Sequence, residues 1–141
     1  LKNLQYKGYR QLCDAVTAQL VPDKKDYVVL DLGAGTGLCG GYLRKFAGSL
    51  AGADVSPAML QQASGLRDSD GKQTYDVLQN ADIRELLPTL SPASCQVVIA
   101  AAVFNYVGDL AGIFDGAAKI LQPVGIFAFS TDIALRDVDY H

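Results

Sequence analysis

At 141 residues, half of them hydrophobic and 19% charged, the chain has the length and apolar content of one domain around one core, which excludes a disordered polymer. A formal net charge of −3 disfavours a general nucleic-acid binder, which carries a basic face, and favours small solutes or proteins as partners. No apolar run approaches the ~20 residues that cross a bilayer, and no signal-peptide pattern opens the chain.

In chain order, Leu4 to Leu20 reads as an amphipathic helix, with Tyr9, Leu12, Cys13, Val16 and Leu20 at helical spacing. A polar break with Pro22 leads into a first strand, Tyr27 to Leu32, whose consecutive apolar residues suit burial on both faces. Gly33, Gly35 and Gly37 follow, then a helix over Leu38 to Phe46 and a second strand, Leu50 to Asp54. Ser56 caps a helix with Pro57 at its first position and Met59, Leu60 and Ala63 as its apolar stripe. Tyr75 to Asn80 reads as a third strand, Arg84 to Leu90 as a short helical turn, and Gln96 to Ala101 as a fourth strand. Asp109 is expected to cap a helix with Leu110, Ile113, Phe114, Ala117 and Leu121 on its apolar face. Gln122 to Gly125 then turns the chain into a fifth strand, Ile126 to Ser130. Strands alternating with helices specify an α/β fold: a Rossmann-like, doubly wound, mainly parallel sheet with helices on both faces.

The three cysteines, Cys13, Cys39 and Cys95, are scattered, no C-x-x-C pair exists, and the one histidine is the terminal His141. No metal site is expected; buried free thiols in a reducing cytoplasm are. The opening Leu1 suggests a trimmed piece of a longer chain.

Chemistry concentrates at the strand tips. Asp31, Gly33, Ala34, Gly35 and Gly37 form a D-x-G-x-G-x-G turn, in which glycines let the backbone bend tightly and approach a ligand. A dinucleotide fingerprint would place its third glycine where Leu38 stands. Asp54 follows Asp31 by about the ~20-residue offset of a ribose-binding acid, and Asp82 follows the third strand. Taken alone, Asp54 and Asp82 each read as a turn former or helix cap. Three acids at the tips of three successive parallel strands point together to a nucleoside-type ligand.

The blocks Leu30 to Gly37, Gly52 to Leu60 and Ala81-Asp82-Ile83 resemble the first three motifs of class I S-adenosylmethionine-dependent methyltransferases. Leu121-Gln122-Pro123-Val124-Gly125 resembles the family's turn before strand five, with Val124 where a second glycine is common. More narrowly, Gly37 to Gly40 and Val103 to Leu110 are similar to bacterial methyltransferases often fused to tetratricopeptide repeats, though no repeat is present here. The resemblance implies S-adenosyl-L-methionine as cofactor, with Asp31 and Gly33 near its methionine portion and Asp54 on its ribose. Val55 and Met59 would pack on the adenine, while Asp82 and the Ile83 amide read its edge. Ala100, Ala101 and the residues to Phe104 would wall the adenosine and sulfonium, and Tyr6 and Tyr9 would belong to a lid. The same tyrosines at helical spacing equally suit a core position with a polar tip.

The expected organisation is one domain over 1–141, with residues 1–22 as N-terminal helix or lid and 27–131 as cofactor-binding core. The family's final two strands are missing, so another segment or a second subunit is expected to cover the strand-five edge. Residues 102–106 lack the D/N-P-P-Y/F motif of amino-group nucleic-acid methyltransferases, which favours a small-molecule or protein acceptor. Asn105 and Tyr106 either touch that acceptor or pack the following helix. No catalytic base is assigned. The alternative function is a non-catalytic module that binds the cofactor or a partner, and a nicotinamide oxidoreductase is disfavoured by Leu38.

Overall fold

The computed structural model describes residues 2–101 and 108–130, with side chains from residue 8 onward. Five strands, β1 (Tyr27–Leu32), β2 (Ala47–Asp54), β3 (Val77–Asn80), β4 (Cys95–Ala100) and β5 (Leu121–Phe129), form one sheet in the order β3-β2-β1-β4-β5. All four pairings are parallel. The connecting helices are α1 (Lys2–Thr17), α2 (Leu38–Leu43), α3 (Pro57–Ser64), α4 (Ile83–Leu86) and α5 (Leu110–Ile120). The expected Rossmann-like arrangement is therefore observed.

Alternation along β1 sorts its side chains onto two cores. Val29 joins Cys13 and Val16 of α1, Cys39 and Leu43 of α2, and Ala63 of α3. Leu30 and Leu32 join Ile83 and Leu86 of α4 and Ile113, Ala117 and Ile120 of α5 on the other face. Because side chains alternate with period two, Asp31 lies on the α1–α2 face with Val29. Burial of both faces explains why β1 and β4 read as almost unbroken apolar runs. Cys13, Cys39 and Cys95 are buried and unpaired, as their scatter suggested. No described helix is long and apolar enough to cross a membrane.

Two expectations need correction. The predicted turn Gln122 to Gly125 lies inside β5, which starts at Leu121 opposite Cys95 and resumes at Ile126 opposite Val97 after an irregularity. The sheet absorbs the turn residues as a bulge, which local turn chemistry cannot foresee. Asp109 occupies the position before α5, but its side chain makes no capping hydrogen bond.

Val124 carries the strain of that bulge. It is fully exposed and adopts φ 65°, a region costly for a β-branched residue. Val124→Gly is expected to stabilise the fold by about 1 kcal/mol, the steric cost of a left-handed L-residue. Urea unfolding of the two proteins checks this; a destabilised glycine variant would show that the conformation is relaxed.

Candidate functional site

The carboxyl end of β1 carries the densest run of positive-φ backbone among the described residues. Gly33, Gly35 and Gly37 have φ of 72°, 57° and 96°, so each exploits the freedom only glycine has. The turn sits beside the boundary between β1 and β4, where strand order reverses and open α/β sheets bind ligands. Four of its amides are consumed within the protein. Gly33 and Ala34 donate to the Ala53 carbonyl, Gly37 donates to the Ala34 carbonyl, and Gly35 donates to Asp54 Oδ2 at 2.8 Å. A pyrophosphate site needs such amides aimed at the ligand. This turn is framed by carboxylates instead, which argues against a dinucleotide.

Asp54, half-buried at the tip of β2, grips two strands of backbone. Besides the Gly35 amide, it accepts the Ser56 amide on Oδ1 at 2.9 Å. A carboxylate offers about four lone-pair sites, so each oxygen retains one for a ligand hydroxyl. Ser56 caps α3 through the Met59 amide, as its sequence position predicted. Beyond it, Val55 and Met59 are 55% and 43% exposed and form an apolar surface next to Asp54.

Asp31 is 1% exposed. Its Oδ2 accepts the Tyr75 hydroxyl at 2.6 Å, and its Oδ1 has no partner among the described residues. A cavity of about 20 Å³ opens there, lined by Asp31, Tyr9, Gly33, Ala34, Cys39 and Ala101 among others. Burial pushes the Asp31 carboxyl up to about 7, against the pull of the Tyr75 hydrogen bond and with a further push from Asp54. The Tyr9 phenol is raised by burial and by the acidic groups of Cys39, Asp31 and Asp54. Tyr9, one of the two tyrosines expected in a lid, lines the Asp31 cavity, whereas the side chain of Tyr6 lies outside the described residues.

The remaining candidates divide. Asp82 caps α4 through the Arg84 amide and pairs with the Arg84 guanidinium at 2.9 Å. That hydrogen-bonded pairing holds its carboxyl below the usual range. The turn-and-cap reading therefore accounts for Asp82 without a ligand. Ile83 is buried in the α4–α5 core and offers only its amide, at the first helical position where the helix supplies no acceptor. Ala100 is buried in the same core, so its side chain does not line the cavity, whereas Ala101 does. Phe104, Asn105 and Tyr106 lie outside the described residues.

Sequence reasoning missed Tyr75, which it placed as the first residue of a strand. A larger groove of about 520 Å³ runs between Leu38, Gly41 and Tyr42 on one side and Gln62 and Leu66 on the other. It contains no carboxylate, so the Asp31–Asp54 site is the better candidate for the chemistry.

A methyltransferase domain family model matches residues 30–129, which span the glycine turn, all three acids and the end of β5. The chain belongs to this methyltransferase domain family. Family membership makes the fold class I and implies S-adenosylmethionine as the cofactor. An S-adenosylmethionine-dependent methyltransferase from Mesorhizobium loti is 29% identical, with a TM-score of 0.64 over 84% of this chain and 51% of its own. A chain from the complex of the Haloferax volcanii Trm112 methyltransferase activator with a methyltransferase is 28% identical, with a TM-score of 0.66 over 84% of this chain and 50% of its own. A Bos taurus 18S rRNA (guanine-N(7))-methyltransferase is 51% identical over 43 residues, 30% of this chain and 15% of that protein. The chain thus spans about half the length of these solved relatives.

Proposed function

We propose that the chain binds S-adenosylmethionine across the carboxyl ends of β1 and β2 and transfers its methyl group to a small-molecule or protein acceptor. The observation that carries this reading is the glycine turn held against Asp54 beside the buried, half-partnered Asp31. The residues present fit the cofactor. Asp54 retains acceptor capacity for ribose hydroxyls, Val55 and Met59 offer an apolar surface for a purine, and the Asp31 cavity has room for one ammonium-sized group. Gly33, Ala34, Gly35 and Gly37 let the ligand approach the backbone, Ala101 and Tyr9 wall the inner end, and the Ile83 amide would meet the purine edge.

The cofactor supplies an activated methyl group on sulfur with a neutral thioether as leaving group. The protein's part is then orientation and exclusion of water, which convert an encounter into a positioned in-line displacement. The acidic balance of the chain supports a small-molecule or protein acceptor over nucleic acid, and the three unpaired buried thiols support a cytoplasmic setting. A single domain with residues 27–131 as cofactor core belongs to the same reading.

Calorimetric titration with S-adenosylhomocysteine tests it. Micromolar binding is expected, and Asp54→Ala should weaken it about 100-fold, because the variant removes the ribose acceptor and frees the glycine turn. Absence of binding to the folded wild-type chain sinks the proposal, and saturable binding of a nicotinamide cofactor instead would redirect it. Turnover of a methyl acceptor distinguishes an enzyme from a module that only binds.

A further inference from the structure

Tyr75 occupies a slot created by missing side chains. A Cβ on Gly40 would collide with its ring and hydroxyl, one on Gly52 would stand 2.8 Å from its Cε2, and one on Gly37 would stand 3.1 Å from its Cε1. Three glycines from α2, β2 and the cofactor turn thus let a tyrosine ring pass under the turn and reach β1.

Both neighbours of Tyr75 are clamped. Arg44 donates to the Thr74 carbonyl and to Asp76 Oδ2, each at 3.0 Å, and Asp76 Oδ2 also accepts the Leu50 amide at 2.8 Å. The Thr74 amide donates to the Leu66 carbonyl at 3.0 Å and the Asp76 amide to the Leu50 carbonyl at 2.8 Å. The ring therefore has no backbone freedom with which to withdraw. Its hydroxyl donates to Asp31 Oδ2 at 2.6 Å.

We infer that Tyr75 is a positioning residue: it fixes the Asp31 carboxylate so that its unpartnered oxygen meets an ammonium group, here the amino group of the cofactor's methionine portion. The inference rests on the cofactor reading above. A carboxylate held by one oxygen cannot rotate, so the direction of the other is set. That oxygen is a buried acceptor facing a cavity with room for one small group. An ammonium brings three donors and the opposite charge, the complement that a desolvated carboxylate lacks. Filling the slot would require only a phenyl ring; the hydroxyl adds the orientation.

Binding of two ligands to the whole chain tests this. S-adenosylhomocysteine carries the amino-acid portion, and 5′-methylthioadenosine keeps the nucleoside and thioether without it. Tyr75→Phe is expected to weaken S-adenosylhomocysteine at least tenfold and to leave 5′-methylthioadenosine within twofold. In an Asp31→Asn background, the same substitution should add nothing further. Equal losses for both ligands would show that Tyr75 merely supports the fold, and an unchanged S-adenosylhomocysteine affinity would show that the hydroxyl does not act through Asp31. Either result overturns the inference while leaving the cofactor reading intact. Failure of the wild-type chain to bind either ligand overturns the cofactor reading, and the inference with it.

Discussion

Asp31→Asn should gain stability over the wild type as pH rises, by about 4 kcal/mol between pH 4 and pH 8. The sign is opposite to that of an ordinary paired carboxylate. Burial raises the folded-state value to about 7, above the value near 3.8 of an unperturbed aspartate. Between these limits the folded chain holds a proton that the unfolded chain has released, so the wild type loses stability as pH rises through the window and levels off above it. Asparagine carries no such proton and still offers Tyr75 an acceptor.

The groups facing Asp31 do not cancel the effect. Tyr75 and Tyr9 are both raised, so they stay protonated throughout, as does Cys39, whose thiol is pushed up by its hydrogen bond with Cys13 and by burial. Asp54 adds a negative charge that strengthens the trend. Asp76 and Asp82 are lowered, lose their contributions as pH falls below the ordinary carboxylate range, and are present in both proteins. Urea unfolding at pH 4, 6 and 8 measures the difference; parallel stability profiles for the two proteins would mean that Asp31 ionises normally. An ammonium placed at Oδ1 would offset the penalty, so ligand binding and loss of this proton are linked.

Gly40→Ala should destabilise the fold by about 3 kcal/mol, although the position is helical and alanine is the better helix former by about 1 kcal/mol. The added methyl group enters the space of the Tyr75 ring and hydroxyl, and the clamps at Thr74 and Asp76 prevent the ring from retreating. Gly41, the next residue of α2, is a control with the opposite sign. A Cβ there meets nothing within 4 Å, so Gly41→Ala should be neutral or stabilising. Thermal unfolding of both variants separates the two effects, and the Gly40→Ala penalty should shrink once Tyr75→Leu vacates the slot. Equal behaviour of the two alanine variants would show that Tyr75 has room to move.

The contrast between Asp54 and Tyr75 marks what could be read from residues alone. Asp54 lies at the end of an apolar run close behind the glycine turn, and acid, strand tip and helix cap are all local signals. β1 and β4 were legible for the same reason, since burial on both faces writes itself as consecutive apolar residues. Tyr75 meets Asp31 across 44 residues of sequence, and its slot is defined by glycines on three different elements. No periodicity encodes that meeting; the only trace is glycine at Gly40 and Gly52, positions where a helix and a buried strand gain nothing from it. The bulge in β5 escaped notice because the turn chemistry of Pro123 and Gly125 is real, yet pairing with β4 on either side keeps those residues in the strand. Asp82 shows the converse. Its position suggested a ligand, and the cap and the Arg84 pair explain it as well.

The buried cysteines equip the chain with native timers of its own breathing. Cys39 lies in the first turn of α2 beneath the glycine turn, and Cys95 begins β4 at the far end of the sheet. The Cys13 hydrogen bond and then burial suppress the thiolate at Cys39, and burial does so at Cys95, so neither sulfur is nucleophilic while the fold is closed. Alkylation then waits for an opening event, and peptide mapping of the label reports the two ends of the sheet separately without any engineered probe.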